Sequence, residues 1–191
     1  MVQQSSSIPS SPKEVCPLMP GTSVPSATIR GIDGSEVNLA SAVREKPSIL
    51  VFYRGGWRPH CNRQFGELQN IETRLNEMGF QLIAIAPDRP TKLRETKEKY
   101  GIQGRFLSDS RMAAAQAFRV AYQVDANTLK QLEGYGIDLE EASGENHHRL
   151  PVPAVFIAGT DGVIQFTYAN PDYTVRIRPE MLLAVAGTVR K

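Results

Sequence analysis

The sequence predicts an α/β domain: a central mixed β-sheet flanked by helices, with a β-hairpin near its N-terminal end. Two continuous apolar runs of strand length, Ser48 to Tyr53 (SILVFY) and Gln81 to Ala86 (QLIAIA), have the pattern of strands buried on both faces. Segments with apolar residues at helical spacing follow each run, and this alternation is the signature of right-handed βαβ units. A length of 191 residues, with 41% apolar and 22% charged residues, suits one domain with a sizeable core.

The elements follow in order. Residues 1–19 read as a disordered leader, because the Gln/Ser/Pro-rich start offers no apolar face. From Ala27 to Leu39, alternating runs flank Asp33-Gly34, a dipeptide suited to a tight hairpin turn. After SILVFY, Pro59 opens a helix in which Phe65, Leu68, Leu75 and Met78 recur on one face, and Gly79 closes it. After QLIAIA come a charged helix from Pro90 to Tyr100, a short strand from Arg105 to Leu107 and an Ala-rich helix from Met112 to Ala121. Residues 122–150 break the rhythm and read as a surface insertion with some helix between Ala126 and Gly134. A second hairpin joins Pro153–Ala158 to Val163–Tyr168 through Thr160-Asp161-Gly162, and an amphipathic helix from Pro179 to Val189 closes a single domain spanning 20–191.

Composition excludes several functions. A net charge of +2 without a polybasic stretch argues against nucleic acid as a partner. No apolar run approaches the roughly 18 residues of a membrane span, so no membrane partner is expected. Two cysteines, Cys16 and Cys61, are no disulfide framework, and Cys16 reads as an incidental exposed thiol. Residues 1–13 lack an apolar signal core, which points to the cytoplasm, although such a tail is also compatible with export after a signal peptide has been replaced by a start Met. His147 and His148 have no spaced partners, so no metal is expected.

The chemistry concentrates in FYRGGWRPHC, from Phe52 to Cys61, where a strand end runs into a helix start. A cysteine at position 58 would complete W-C-P-H-C, a dithiol whose attacking thiolate is stabilised by the helix N-terminus and resolved by a second thiol one turn on. Arg58 stands there instead, and a guanidinium is neither a nucleophile nor oxidisable. Cys61 lies in the first helical turn, with Arg54, Arg58, His60 and Arg63 near it in sequence, all favouring a thiolate. The opposite reading is a second cysteine facing inward as a small hydrophobe. Trp57, the only tryptophan, reads as a packing lid beside the site.

Three further motifs lie downstream: Phe106-Leu107-Ser108-Asp109 ahead of the Ala-rich helix, Leu150 to Ala154 (LPVPA) and Asn170 to Pro179 (NPDYTVRIRP). With FYRGGWRPHCN these four ordered motifs resemble the peroxiredoxin-like branch of the alkyl hydroperoxide reductase/thiol-specific antioxidant (AhpC/TSA) family over about Pro20 to Ala186. The resemblance implies a thioredoxin-like, peroxiredoxin-type fold and a thiol-dependent oxidoreductase that reduces peroxides or disulfides. It further implies electrons from a thioredoxin or small-thiol donor, no cofactor, and compatibility with a homodimer. The catalytic residues it implies are Cys61, Arg58 at the position of the missing nucleophilic cysteine, Trp57, Pro59 and His60. For substrate binding it implies Arg54, Arg176, and Val152-Pro153, with a cis bond facing the helix N-terminus. Peroxiredoxins activate peroxide with a P-x-x-x-T-x-x-C loop. Here the equivalent positions are Val51 and Gly55 counted from Arg58, or Arg54 and Arg58 counted from Cys61. The alternative is a redoxin-fold pseudoenzyme whose Arg58 and helix N-terminus form an anion- or partner-binding surface.

Overall fold

The computed structural model describes residues 7–57, 59–101 and 103–189, with side chains throughout except at 59–62. The predicted hairpin pairs β1 (Thr28–Gly31) with β2 (Glu36–Asn38), and the Asp33 carboxylate holds the turn by accepting from the Ser35 amide at 3.0 Å. A short helix that the alternation does not announce follows directly, α1 (Leu39–Glu45). It is capped by the Asn38 side-chain oxygen, which accepts from the Ser41 amide, and it buries Leu39, Ala42 and Val43.

The chain then alternates as predicted through β3 (Ser48–Phe52), α2 (Pro59–Glu77), β4 (Gln81–Ala86), α3 (Pro90–Tyr100) and β5 (Arg105–Ser108). Next come α4 (Ala113–Ala117), β6 (Ala121–Gln123), α5 (Ala126–Gly134), α6 (Leu139–Ser143), β7 (Arg149–Pro151), the hairpin of β8 (Ala154–Ala158) with β9 (Ile164–Ala169), and α7 (Pro179–Thr188). Among the described residues the main sheet has the order β2-β1-β5-β4-β3-β8-β9, while β6 and β7 form a separate ribbon. It is mixed: β3 pairs parallel with β4 and antiparallel with β8.

Strict alternation along the buried strands builds two cores, one per face. Ile49, Val51 and Tyr53 point toward α2, α3 and α7, where they meet Phe65, Leu68, Leu93 and Leu182. Leu50 and Phe52 point the other way, toward α1, α4 and the helices of the 122–150 segment, where Phe118 packs against Phe52 and Phe156 at centroid distances of 5.0 and 4.9 Å. The site-bearing helix α2 therefore lies on the face opposite the insertion, and the loop joining β3 to α2 is the place where the two sides meet.

The structure corrects four expectations. The described leader, from Ser7 on, is docked rather than disordered: the Gln123 amide donates to Pro9 O, the Leu18 amide to Phe118 O and the Thr167 hydroxyl to Leu18 O, while Val15 and Leu18 rest on the core. The Ala-rich helix ends at Ala117 instead of Ala121, because Arg119 adopts a left-handed conformation (φ 57°) that sends the chain into β6. The 122–150 segment does contain the expected helix, but it also buries Leu132, Leu139 and Leu150, so it completes a core face and is more than a surface loop. Finally, Val152-Pro153 is trans. The chain runs extended from β7 into β8, and the Val152 amide donates to Val120 O at 2.8 Å, a continuous path between two ladders that a trans bond serves.

Candidate functional site

β3 ends at Phe52, and Tyr53 to Trp57 carry the chain over the sheet edge to Pro59, the first residue of α2. Tyr53 anchors this crossing from below. It is fully buried, and its ring meets Phe65 of α2 edge-on at 4.6 Å. Arg54 is buried as well, at 2% exposure, a rare fate for an arginine. Its guanidinium carbon lies 4.8 Å from the centre of the Tyr173 ring, a cation–π contact.

Tyr173 also connects Arg54 to the second predicted arginine. Arg176 donates through Nη1 to the carbonyls of Tyr173 and, at 3.1 Å, Val175, and through Nε to Gln64 Oε1 at 3.0 Å. Gln64 is 4% exposed and lies three residues beyond Cys61 on α2. The structure thus gathers the C-terminal NPDYTVR motif and the RGGW loop at the start of one 19-residue helix, the helix that carries Cys61 in its first turn. Its first amides and the aligned peptide dipoles favour an anion there. The expectations for Arg58 lie outside the described residues, as do those for the side chains of Pro59, His60 and Cys61.

The other two predicted substrate residues do not join this group as expected. Val152 is 2% exposed, Pro153 is buried, and the Val152 amide is already bonded to Val120 O, so this dipeptide offers no amide donor to a substrate chain. Cys16 is an exposed free thiol beside Pro9, Glu14 and Arg119, on the docked leader. Among the described residues no group of His, Cys, Asp and Glu side chains is arranged to hold a metal ion. No described helix is long and apolar enough to cross a membrane.

Two aspartates follow the C-terminal ends of strands: Asp109, part of the FLSD motif read from the sequence, and Asp88, which the sequence reading misses. Asp109 accepts from the amides of Ala114 and Ala115 at 2.9 and 2.7 Å, so the Leu-Ser-Asp motif is a buried cap for α4. Burial pushes its carboxyl up to about 7 against those hydrogen bonds. Asp88, just past β4, accepts from the Gly56 amide through Oδ2 at 2.7 Å and faces the Trp57 indole. Burial raises its carboxyl to about 6, opposed by the Gly56 amide, the indole and the Lys92 charge. Gly55 and Gly56 are glycines because nothing larger fits. A Cβ on Gly55 would overlap the Trp57 indole and come within 2.8 Å of Asp88 Oδ1, and one on Gly56 would overlap the Thr96 hydroxyl. A cavity of about 280 Å³ opens beside this packing, lined by Trp57, Asp88, Lys92, Thr96 and Glu141 among others. For Asp88 the only signal in the sequence is a polar residue two positions after a buried strand.

A model of the family described as AhpC/TSA matches residues 20–167. A putative peroxiredoxin of Mycobacterium tuberculosis is 30% identical over 92 residues, 48% of this chain and 58% of the relative. A putative peroxiredoxin bcp of Haemophilus influenzae is 31% identical over 104 residues, 54% of this chain and 66% of the relative. The match therefore spans less than two thirds of the length of these curated relatives. In three dimensions the chain resembles the peroxidoxin BcpB of M. tuberculosis (TM-score 0.68, 17% identity, 91% of this chain and 99% of that one). It also resembles reduced Prx3 of Vibrio vulnificus in complex with hydrogen peroxide (TM-score 0.72, 13% identity, 88% and 99%). At such identities the structural likeness establishes the fold: a thioredoxin-like sheet of the peroxiredoxin type.

Proposed function

The chain belongs to the AhpC/TSA family, and from that membership we propose that it is a thiol-dependent peroxidase with Cys61 as its redox thiol. The observation that carries this reading is the hydrogen bond from Arg176 Nε to Gln64, which ties a guanidinium to α2 one turn beyond Cys61. A thiolate at a helix start is favoured by the free amides and by nearby cations, and the same charges stabilise the alkoxide that develops when a peroxide O–O bond breaks. The Cys61 thiolate attacks the outer oxygen of ROOH, forming an S–O bond while the O–O bond breaks. The leaving RO⁻ takes a proton, and Cys61 becomes a sulfenic acid. A donor thiol then displaces water to form a mixed disulfide, and a second donor thiol releases reduced Cys61 and the donor disulfide. Because position 58 holds Arg instead of a thiol, the electrons come from outside the motif, from a thioredoxin or a small thiol.

The test is direct. Hydrogen peroxide with an excess of small thiol should be consumed by the wild-type chain and not by Cys61→Ser, and mass spectrometry after a brief exposure should place a sulfenic acid at Cys61. In Arg58→Cys, oxidation should yield a disulfide between positions 58 and 61 and a gain of disulfide-reductase activity. Oxidation confined to Cys16, with peroxide consumption unchanged in Cys61→Ser, would overturn the reading.

A further inference from the structure

We propose that Asp88 is a positioning residue for the thiol helix: its carboxylate clamps Gly56 and Trp57, and so fixes how the chain enters α2. The inference rests on the reading of Cys61 as the redox thiol. Nothing in FYRGGW reaches forward to Asp88 in sequence; the contact exists because β3 and β4 are parallel neighbours whose C-terminal ends lie side by side. Gly56 donates to Asp88 Oδ2 at 2.7 Å, and Gly55 adopts φ 145°, a conformation that L side chains rarely take. The Thr96 side chain fills the space over Gly56, with its hydroxyl donating to Lys92 O at 3.0 Å. Two glycines, an indole and a buried carboxylate therefore form one close-packed unit within a few residues of the first turn of α2. Such a unit has few alternative arrangements, because close-packed interiors do not deform continuously. Asp88 does not approach the reacting atoms itself; it acts through the loop.

The carboxylate titrates in a usable range, since burial brings it to about 6. Charged groups face it from both sides. Lys92, Glu95 and Lys99 of α3 line the larger cavity with Asp138 and Glu141, and Glu141 is bound to Lys92 at 3.2 Å. Arg54, His147, His148 and Arg149 line the small adjoining cavity. His147 is held on both nitrogens, by Ser110 O and by the Arg149 amide, and His148 is held by Glu140. Both histidines line the same small cavity as Asp88 and are therefore replaced one at a time as controls.

Trp57 is the single tryptophan of the chain, so its fluorescence reports this unit alone. In the wild-type protein, Trp57 emission should titrate with a midpoint near 6, should titrate likewise in Cys61→Ser, in His147→Gln and in His148→Gln, and should be flat in Asp88→Asn. Reactivity is read by alkylation of Cys61 with iodoacetamide, located by mass spectrometry to separate it from Cys16. This readout does not depend on peroxide turnover, so failure of the peroxidase reading leaves the test intact. Asp88→Ala should slow Cys61 alkylation at pH 8 by roughly ten- to a hundredfold, the scale of a loop misplaced by about 1 Å. Asp88→Asn, which keeps an acceptor for the Gly56 amide, should recover most of the rate. A titration that persists in Asp88→Asn, or that vanishes with either histidine, overturns the proposal, as does wild-type alkylation in Asp88→Ala. Should Asp88→Ala fail to fold, the wild-type and Asp88→Asn titrations decide alone.

Discussion

At the scale of single residues, the loop between β3 and α2 shows how little freedom a motif can have. Gly55 and Gly56 were legible as part of a family motif, yet the reason for them was not, because Thr96 and Asp88 come from another βα unit and meet the loop only in the fold. The physical account separates the two glycines. Gly56→Ala should cost about 1 to 3 kcal/mol through overpacking against Thr96, and Thr96→Ala should restore part of that loss by removing the hydroxyl. Gly55→Ala carries a backbone cost in addition, at φ 145°, so Thr96→Ala should not rescue it. Urea unfolding of the single and double variants distinguishes these cases, and additive effects of Gly56→Ala and Thr96→Ala would show that the two sites do not touch. Arg54 gives the opposite lesson. Its type and position are plain in the sequence, but its burial against the Tyr173 ring depends on a segment more than a hundred residues away.

At the scale of elements, buried strands and long helices were readable and short or mutually dependent pieces were not. β3, β4, α2 and α3 follow from continuous apolar runs and helical spacing, with Pro59 and Pro90 at their helix starts. By contrast α1 is only seven residues long, and its apolar pattern is indistinguishable from a strand continuation. The β6–β7 ribbon pairs Tyr122 with Leu150, a register no local window contains. The trans Val152-Pro153 bond was likewise decided by the two ladders it joins, against the expectation taken from the resemblance. Asp109 belongs at this scale, because a five-residue helix following a left-handed Met112 has little stability of its own. Replacing Asp109 with Ala removes the acceptor for two buried amides, and should lower the unfolding free energy by about 2 to 3 kcal/mol. Amide exchange at Ala114 and Ala115 should quicken in the same variant; unchanged protection there would mean that the cap does not hold the helix.

At the scale of the whole molecule, the sheet order puts the chain's chemistry where two parallel strands end and the helix after one of them begins, the usual place for a site in an open α/β sheet. The same arrangement buries Asp88 and Asp109 at the ends of neighbouring strands, and their shared shift gives stability an unusual dependence on pH. Both folded values, about 6 and about 7, lie above the ordinary 3.8 because burial penalises the charged form. Between those limits the folded protein binds more protons than the unfolded chain, so the contribution is fully present below about 3.8 and is lost as pH rises through 6 and 7. Asp33 and Asp125 work in the other direction: side-chain hydrogen bonds from Ser35 and Thr128 lower their values, so what they contribute is lost only as pH falls below the usual carboxylate range. Thermal stability should therefore be greatest near about pH 4, and between pH 5 and pH 8 it should fall by roughly 4 kcal/mol, or about 10 °C in Tm for a chain of this size. Thermal unfolding at constant ionic strength from pH 4 to pH 8 measures it. Asp88→Asn and Asp109→Asn should each flatten part of the slope, Asp88→Asn between about pH 4 and 6 and Asp109→Asn between about pH 4 and 7, whereas a wild-type Tm that rises from pH 5 to pH 8 would mean that the two carboxylates are better solvated than their burial implies.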